Sequence, residues 1–470
     1  MYDAGICNGG SSNDRMQKCI RSYWRSRDCE YNRQHRSGRQ QAGCGSKAEG
    51  TADTAANAQA VAGDAAESGD TVDVEFWYSG GKTAVGVVQE IVDSLNASQS
   101  KYHVSTVTQA DYDETYQKLQ AGIAGNAAPD LVLLNVEAAR NLDSKSLLAD
   151  LQPMIDADSE FQKDNYLSVF YDQGVDDANV VFGLPAYGTT QVMYYNKAAF
   201  EEAGIHADDI KTWADLADAA QKIKATGNYE YGWEPMWGAD NMIDAAFSNG
   251  AKIFSDDGTQ VTINTPEWVD VWESFRTWIH DDKTMAIHSG GQGWEYWYAT
   301  IDDVIAGKAG GYTGSSGDQA DLDFSIVAAM EQPAWSSETS SAPMAETKTL
   351  SVLEGSSDEE KQGAFEFIKY FTNADNQAKW TMSTGYVAVN QQINDNADYQ
   401  AYVAENPQAA VPFAQAAHGT VYPYDPTNGA IKDALKVAAD KVEIDGIDAK
   451  TALDEAQATA QAALDEALGK

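Results

Sequence analysis

One stretch of the sequence, residues 182–205 (FGLPAYGTTQVMYYNKAAFEEAGI), constrains the fold more than any other. An apolar run ends at Pro185, whose ring fixes φ and whose nitrogen carries no proton, so the chain is expected to change direction there. Residues 190–195 are rich in aromatic and β-branched side chains, which is typical of a buried strand. Asn196 is a good N-cap for a following helix, and Gly204 is a good residue to end it. This order of elements predicts a chain that leaves one α/β lobe and begins another.

The residues before this stretch alternate between strand and helix patterns. The periodicity predicts strands over 72–77, 102–107 and 130–134, and helices over 82–96 and 111–124. This β-α-β-α-β order favours a parallel or mixed sheet covered by helices. Ligands of such sheets bind beyond the carboxyl ends of the strands, which here are residues 77–79, 108–112 and 135–137.

The residues after the stretch predict a second group of elements and no internal repeat. Thr212 with Asp215, and Ser357 with Glu360, have the spacing of capping boxes, and Thr265–Pro266 should begin a further helix. Along that helix, the helical spacing of the aromatic residues predicts core positions at Trp268, Trp272, Phe275 and Trp278. We also predict a hairpin turning at Asp257–Gly258, a second crossing at 310–317, a strand over 324–329 and Ala-rich helices over 429–443 and 449–468.

Four segments carry a resemblance to a known family. They are residues 73–79 (DVEFWYS), 182–205, 212–216 (TWADL) and 380–391 (WTMSTGYVAVNQ). In this order and spacing they resemble the extracellular solute-binding proteins of ABC importers, in the sugar-binding group that includes the maltodextrin- and glycerol-3-phosphate-binding proteins. The resemblance covers residues 72–470 and implies an α/β, two-lobed periplasmic-binding-protein fold with hinge crossings and a ligand cleft between the lobes. Such a protein binds its ligand by closing the lobes and catalyses no reaction.

The domain boundaries expected from this resemblance are as follows. Residues 72–184 with 313–371 would form the N-terminal lobe, and residues 185–312 with 372–470 the C-terminal lobe. Residues 47–70 hold too few apolar side chains to form a core, so residues 44–71 are expected to be a flexible tether.

The cysteines all lie before residue 45, at positions 7, 19, 29 and 44. A zinc or Fe–S site made of thiolates in the folded part is thereby excluded, and we predict neither a metal nor a cofactor. Cys44 stands in a segment (QAGCGS) that resembles a bacterial lipobox, which implies a lipid-anchored protein on the outer face of the cell membrane. The segment departs from that pattern at Gln41, and the polar residues 21–40 contain no apolar run of about 7–15 residues.

Two explanations of residues 1–43 remain open. A reading-frame error upstream of about Gln41 would have replaced a genuine signal peptide, which makes this a defective or frame-shifted signal region. Otherwise these residues are a disordered basic tail of an unexported protein. No segment reaches about 18 consecutive apolar residues, so any membrane attachment is expected through lipid.

The net charge restricts the partners. The 470 residues include 32 basic and 72 acidic ones, for a net charge of −40. A surface this acidic repels nucleic acid and anionic lipid and keeps a protein soluble. We therefore predict no nucleic-acid partner. The resemblance implies a small-molecule ligand and the permease subunits of an importer as partners, and a hinged pair of lobes is expected to be a monomer.

Aromatic side chains in turns are the candidate ligand platform, because the C–H faces of sugars stack on aromatic rings while polar groups bind the hydroxyls. The resemblance implies ligand contacts at Tyr112, Glu137, Thr189, Ser316 and Tyr386. The further candidates are aromatic residues that helical periodicity does not explain: Trp77, Tyr78, Tyr187, Trp233, Trp237, Trp294, Tyr312 and Trp335.

The expected ligand is a neutral carbohydrate, most simply an oligosaccharide. The glycerol-3-phosphate-binding relatives place an arginine in a late Gly-rich segment, and the matching residues 418–432 (HGTVYPYDPTNGAIK) contain none. A buried dianion without a guanidinium partner costs several kcal/mol. The alternatives are a binding protein for glycerol-3-phosphate or a glycerophosphodiester and, more distantly, a secreted glycoside hydrolase. The chain has none of the motifs HExxH, GxSxG or Walker A, so an enzyme is not predicted.

Overall fold

The computed structural model describes residues 71–176, 178–291, 295–427 and 429–470. Within them, eight strands form along the chain: β1 (Val72–Ser79), β2 (Tyr102–Gln109), β3 (Leu131–Asn135), β4 (Leu184–Asn196), β5 (Glu234–Pro235), β6 (Gly311–Ser315), β7 (Val327–Met330) and β8 (Ala345–Val352). The predicted signal region, Cys44 and the tether up to residue 70 lie outside the described residues.

Helices cover the strands and form most of the second half of the chain. They are α1 (Lys82–Ser98), α2 (Tyr112–Gly125), α3 (Val136–Asp143), α4 (Gln152–Ala157), α5 (Ser168–Tyr171), α6 (Lys197–Glu202), α7 (Trp213–Ala225), α8 (Ala239–Ser248), α9 (Pro266–Arg276), α10 (Glu295–Ile305), α11 (Asp358–Phe371), α12 (Ala374–Thr384), α13 (Ala397–Glu405), α14 (Val411–Ala416), α15 (Ala430–Glu443) and α16 (Ala449–Ala467). None of the described helices has the length and apolarity that a membrane span requires.

Strand β4 belongs to two sheets. Its first half pairs antiparallel with β8, in a sheet of order β2-β1-β3-β8-β4. Its second half pairs with β6 and β7, and β6 pairs with β5. The register shifts between Pro185 and Tyr187, where the sequence predicted a change of direction. At Gly188 the ring of Phe170 lies so close that a Cβ would come within 2.1 Å of it, so the crossing needs glycine at this position.

Each sheet has its own apolar core. The first contains Val74, Phe76 and Ile91 from β1 and α1, together with Trp380 and Val389 from late in the chain. The second is built on helices, and α7 and α9 contribute the large buried side chains Trp213, Trp268, Trp272 and Phe275, which pack with Trp233. The predicted core positions Trp268, Trp272 and Phe275 are confirmed, and Trp278 packs half-buried at the edge of the same core.

Local signals predicted many helix ends correctly. Both capping boxes form, at Thr212–Asp215 and at Ser357–Glu360. The predicted hairpin around Asp257–Gly258 is reduced to one bridge between Phe254 and Val261. The backbone N–H groups of Val261 and Ile263 point away from this bridge, and Gln461 and Gln457 of α16 accept them at 2.8 and 2.9 Å, so the segment is held by a helix on its outer side.

The packing differs from the predicted lobe boundaries in two places. Residues 311–315 and 327–330 pair with the second half of β4, so the segment predicted as a second crossing stays beside the second sheet. The chain returns to the first sheet between β7 and β8. Residues 380–389 pack into the first core although they were predicted to belong to the C-terminal lobe. Both differences arise from pairings distant in sequence, which local patterns do not specify.

Candidate functional site

The site lies where the two sheets share β4. Asn135, the last residue of β3, pairs with Lys348 of β8, and Lys348 pairs in turn with Tyr187 of β4. Thr189 pairs with Glu346 two positions further along β8. A row of polar and aromatic side chains thus begins at the carboxyl end of a central strand, which is where ligands bind in open α/β sheets.

A cluster of aromatic rings forms one wall. The hydroxyl groups of Tyr112, at the start of α2, and of Tyr187 are hydrogen-bonded to each other. The ring of Tyr187 packs against Tyr386 at 4.9 Å and against Trp380 at 4.7 Å between centroids. Tyr187 is fully buried, whereas Tyr112 and Tyr386 are half-buried and keep part of their surface exposed to solvent. Burial raises the pKa of Tyr112 and of Tyr187, so both keep their hydroxyl protons and can donate hydrogen bonds at neutral pH.

Hydroxyl groups from both sheets meet beside these rings. The Oγ1 atom of Thr189 lies 3.3 Å from the Oγ of Ser315 and 3.4 Å from the Oγ of Ser316. Gly317 follows directly, and a Cβ there would lie 2.8 Å from the ring of Tyr386. The turn after β6 therefore fits tightly against the aromatic wall and brings hydroxyl groups within reach of it.

A second part of the site is a pocket with charged walls. Helix α3 contributes Glu137 and Arg140, and β8 contributes Glu346 and Lys348. The opposite wall is the segment 421–425, whose Tyr422 packs against the second core. The pocket is therefore lined from both lobes.

Lys432 of α15 supports this pocket electrostatically. Its Nζ lies 3.3 Å from Glu346 Oε1 and 3.6 Å from Asp240 Oδ1, with 23% of the lysine side chain and 30% of the Glu346 side chain exposed. The ammonium group lowers the pKa of Glu346 to about 2, and Asp240 and Glu346 raise the pKa of Lys432. Both groups are charged at neutral pH and hold β8 and α15 together.

Two other cations have fewer carboxylate neighbours. The Arg140 guanidinium lies 5.4 Å from the ring of Tyr424, and its buried Nε atom has no hydrogen-bond partner. Lys348 Nζ lies 5.1 Å from the ring of Tyr112. The sequence did not indicate the three cations of this site, Arg140, Lys348 and Lys432, because a cation was expected only as an arginine within 418–432. A signal was available in β8, where Glu346 and Lys348 interrupt a strand that is otherwise apolar or hydroxylated.

The structure brings six predicted site residues together: Tyr112, Glu137, Tyr187, Thr189, Ser316 and Tyr386. The other aromatic candidates lie elsewhere. Tyr78 and Trp233 are buried in the two cores, and Trp77 packs against a small cluster beside the first sheet. Trp335 donates to Asp270, and Trp237 donates to Asp440. Trp294 lies outside the described residues.

Tyr312 lies one layer behind the site. It is fully buried, stacks on Tyr194 at 5.1 Å and donates to Asp318 Oδ2 at 3.2 Å. Asp318 also accepts the Trp297 indole N–H at 2.9 Å. Burial raises the pKa of Asp318 to about 8, because neither neutral donor compensates the loss of water as a cation would.

The fold and the site together define a class of protein. Two α/β lobes share one strand, and a site with rings, hydroxyls and charged groups lies between them, as in the two-lobed periplasmic binding proteins. The chain belongs to the family of bacterial extracellular solute-binding proteins, whose family model matches residues 90–408. The family and the fold class expected from the sequence are thereby confirmed.

Known relatives agree with this assignment. The sn-glycerol-3-phosphate-binding periplasmic protein UgpB of Rhizobium meliloti (strain 1021) is 25% identical over 424 residues, which cover 84% of this chain and 94% of that protein. UgpB of Mycobacterium tuberculosis, solved with glycerophosphocholine, superposes with a TM-score of 0.73 at 20% identity and covers 85% of this chain and 100% of that one. The cyclic α-maltosyl-1,6-maltose binding protein of Arthrobacter globiformis gives a TM-score of 0.71 at 20% identity, over 84% and 100%.

Proposed function

We propose that this protein binds an oligosaccharide between its two lobes and delivers it to the permease of an ABC importer. The observation that carries the proposal is the aromatic wall of Tyr112, Tyr187 and Tyr386 beside the hydroxyls of Thr189 and Ser316. Rings bind the C–H faces of sugars, and hydroxyl groups bind sugar hydroxyls. A ligand that contacts residues from both sheets would stabilise the closed arrangement of the lobes.

The compensated charges of the pocket support a neutral ligand. Lys432 is balanced by Glu346 and Asp240, and the pocket wall contains the carboxylate of Glu137 as well as the cations Arg140 and Lys348. An uncharged polyol can donate to the carboxylates and accept from the cations without the cost of burying a further charge. The related binding protein for cyclic α-maltosyl-1,6-maltose makes oligosaccharides the first ligands to test.

A second candidate is a phosphodiester or phosphate monoester of glycerol. It is favoured by one observation, the buried Nε of Arg140, which has no hydrogen-bond partner among the described residues. Together with Lys348 it could bind a phosphate group that the segment 418–432 cannot bind with an arginine of its own. The relatives that bind sn-glycerol-3-phosphate and glycerophosphocholine give this candidate its probes.

The deciding experiment is a thermal-shift and calorimetric panel on the purified chain. The panel contains maltose, maltotriose, a cyclic tetrasaccharide, sn-glycerol-3-phosphate and glycerophosphocholine. At about 100 times Kd a ligand adds about 2.7 kcal/mol of stability, which raises Tm by a few degrees at this chain length. A response to the sugars alone supports the first proposal. A response to the phosphate compounds alone, abolished by Arg140→Gln, replaces it with the second, and a lack of any response contradicts both.

We propose in addition that Cys44 is the lipid attachment site on the outer face of the membrane. The support is the match of QAGCGS to the small-residue positions of a lipobox. Metabolic labelling with palmitate should mark the chain once a functional signal peptide precedes Cys44, and should fail to mark the Cys44→Ala variant of that chain. Label retained by that variant would contradict the assignment.

A further inference from the structure

Three side chains far apart in sequence meet in the second lobe, away from the ligand site. Glu234 lies in β5, His288 in the segment before α10, and Asp303 in α10. The Nε2 atom of His288 is 3.0 Å from Asp303 Oδ2 and 3.9 Å from Glu234 Oε1. One nitrogen and two carboxylate oxygens, all within 4.8 Å of one another, thus converge on one point.

Glu234 is the unusual member of this group. It is 0% exposed, and both of its carboxylate oxygens are buried without a hydrogen-bond partner. A buried polar group is normally satisfied, and an unpaired buried carboxylate costs several kcal/mol. Burial, with a smaller contribution from Asp303, raises the pKa of Glu234 to about 8. No described residue donates a hydrogen bond to this carboxylate, so a group from outside the chain is needed to compensate its charge.

The surroundings leave room for such a partner. Asp303 binds Lys308 through Oδ1 at 2.7 Å, so its Oδ2 atom is the one that faces His288. The side chain of His288 is 36% exposed. An ion could therefore reach the three side chains from solvent, past His288, without passing through the core.

From this arrangement we propose that Glu234, His288 and Asp303 form a binding site for a divalent transition-metal ion, with Zn²⁺ as the best match. Zinc binds imidazole nitrogen and carboxylate oxygen at about 2.0–2.2 Å, which in a tetrahedral site separates two ligand atoms by roughly 3.4 Å. The distances of 3.0 and 3.9 Å lie on either side of that value. The fourth position would be taken by a water molecule on the exposed side of His288.

The site contains no thiolate. The prediction of no metal was based on the positions of the cysteines, which do not bear on a site of this kind. Its ligands come from an edge strand, a loop and a helix of the second lobe. A bound ion would therefore tie the loop before α10 to the sheet. It would also compensate the buried charge of Glu234, so metal binding should stabilise the lobe.

Titration of the chelator-treated full chain with ZnCl₂ tests the proposal. We expect one equivalent of zinc bound at this site and a rise of a few degrees in Tm, both lost in His288→Ala and in Glu234→Gln. Because a buried amide is cheaper than an uncompensated carboxylate, Glu234→Gln should fold at least as stably as the original chain in the absence of zinc. His418→Ala is the matched control, since His418 also contacts a carboxylate, Glu331, but only one.

X-ray absorption of the one-to-one zinc complex separates this site from the four N-terminal cysteines. The proposed ligands predict a first shell of nitrogen and oxygen at about 2.0–2.1 Å with a single imidazole. A sulfur shell, or unchanged zinc binding in both His288→Ala and Glu234→Gln, would overturn the proposal. This readout needs no variant, so it decides the question even if a substitution prevents folding.

Discussion

Glu346 in the cleft and Glu234 in the second lobe are both carboxylates on sheet strands, yet their environments are opposite. Glu346 is half-buried and lies 3.3 Å from Lys432, which lowers its pKa to about 2. Glu234 is fully buried without a hydrogen-bond partner, and its pKa is raised to about 8. Burial alone therefore does not determine the charge of a carboxyl group in this protein, and the nearest cation decides it.

Asp318 is a third case, because it has hydrogen-bond donors but no cation. Its pKa is raised to about 8, like that of Glu234, although two neutral groups donate to it. Of these three carboxyl groups, only the one beside a cation has a lowered pKa. The following predictions test the effect of that cation and then the separation between the cleft and the rest of the molecule.

The largest effect is expected from removing the cation. Lys432→Met leaves Glu346 and Asp240 without their nearest positive charge, and should lower the free energy of unfolding by about 2–3 kcal/mol in denaturant titrations. Adding Glu346→Gln should restore most of that loss, because the less buried Asp240 can be solvated. Lys436→Met, one turn along α15 where only the exposed Asp433 is contacted, should cost under about 0.5 kcal/mol. Equal losses of unfolding free energy in Lys432→Met and Lys436→Met would show that the buried ion pair contributes no more than the exposed one.

The next effect is a pH dependence caused by Asp318. Its pKa is raised in the folded state, so its protonated form stabilises the fold at low pH, and that contribution is lost as pH rises from about 4 towards about 8. We expect roughly 3–4 kcal/mol less stability at pH 8 than at pH 5 from this group, and Asp318→Asn should remove that part of the slope. The part caused by Glu234, whose pKa is also raised to about 8, should remain. Asp323→Asn is the control, since hydrogen bonds from Ser325 lower the pKa of Asp323. A slope that is as steep in Asp318→Asn as in the original chain would contradict the assignment to Asp318.

A smaller effect concerns ligand affinity. Tyr386→Ala removes a ring of the aromatic wall, so calorimetry with the sugar that responds in the panel should show binding at least about tenfold weaker, or about 1.4 kcal/mol. Melting of the unliganded variant shows whether the fold is kept. Unchanged affinity in a folded Tyr386→Ala variant would show that the aromatic wall does not bind the ligand.

The smallest effect is expected at Trp335, which the sequence analysis counted among the ligand residues. It donates to Asp270 and packs 6.1 Å from Trp278 at the edge of the second core. Trp335→Phe should therefore change affinity for the same sugar by less than about twofold, or about 0.4 kcal/mol. A loss of affinity as large as that of Tyr386→Ala would show that Trp335 belongs to the ligand site.

Much of the fold could be predicted because its signals are local. Capping residues such as Thr212 and Ser357, and apolar periodicity along α9, act within one or two turns and remain valid in the folded protein. The lobe boundaries could not be predicted as well, because they depend on which strand pairs with β4. Residues 311–315 and 345–352 are both compatible with that pairing, and tertiary contacts assign them to different sheets.

The site was predicted in part for the same reason. Tyr112, Tyr187 and Tyr386 come from segments with recognisable motifs, and the structure brings them together. Whether a tryptophan stacks on a ligand or fills a core is decided by its neighbours in the fold. The sequence around Trp233 does not distinguish this buried residue from a tryptophan that binds a ligand. Arg140 and Lys432 approach the pocket from elements about 290 positions apart, a proximity that no local pattern contains.

The position of β8 has a consequence for how the chain reaches its folded state. β8 lies between β3 and β4 in the first sheet, although it follows β3 by more than two hundred residues. The first lobe therefore cannot complete its sheet until three quarters of the chain has left the ribosome. Pairings of such long range form slowly. A nascent chain of this extracellular family would remain unfolded through most of its synthesis, which is the state that translocation across a membrane requires.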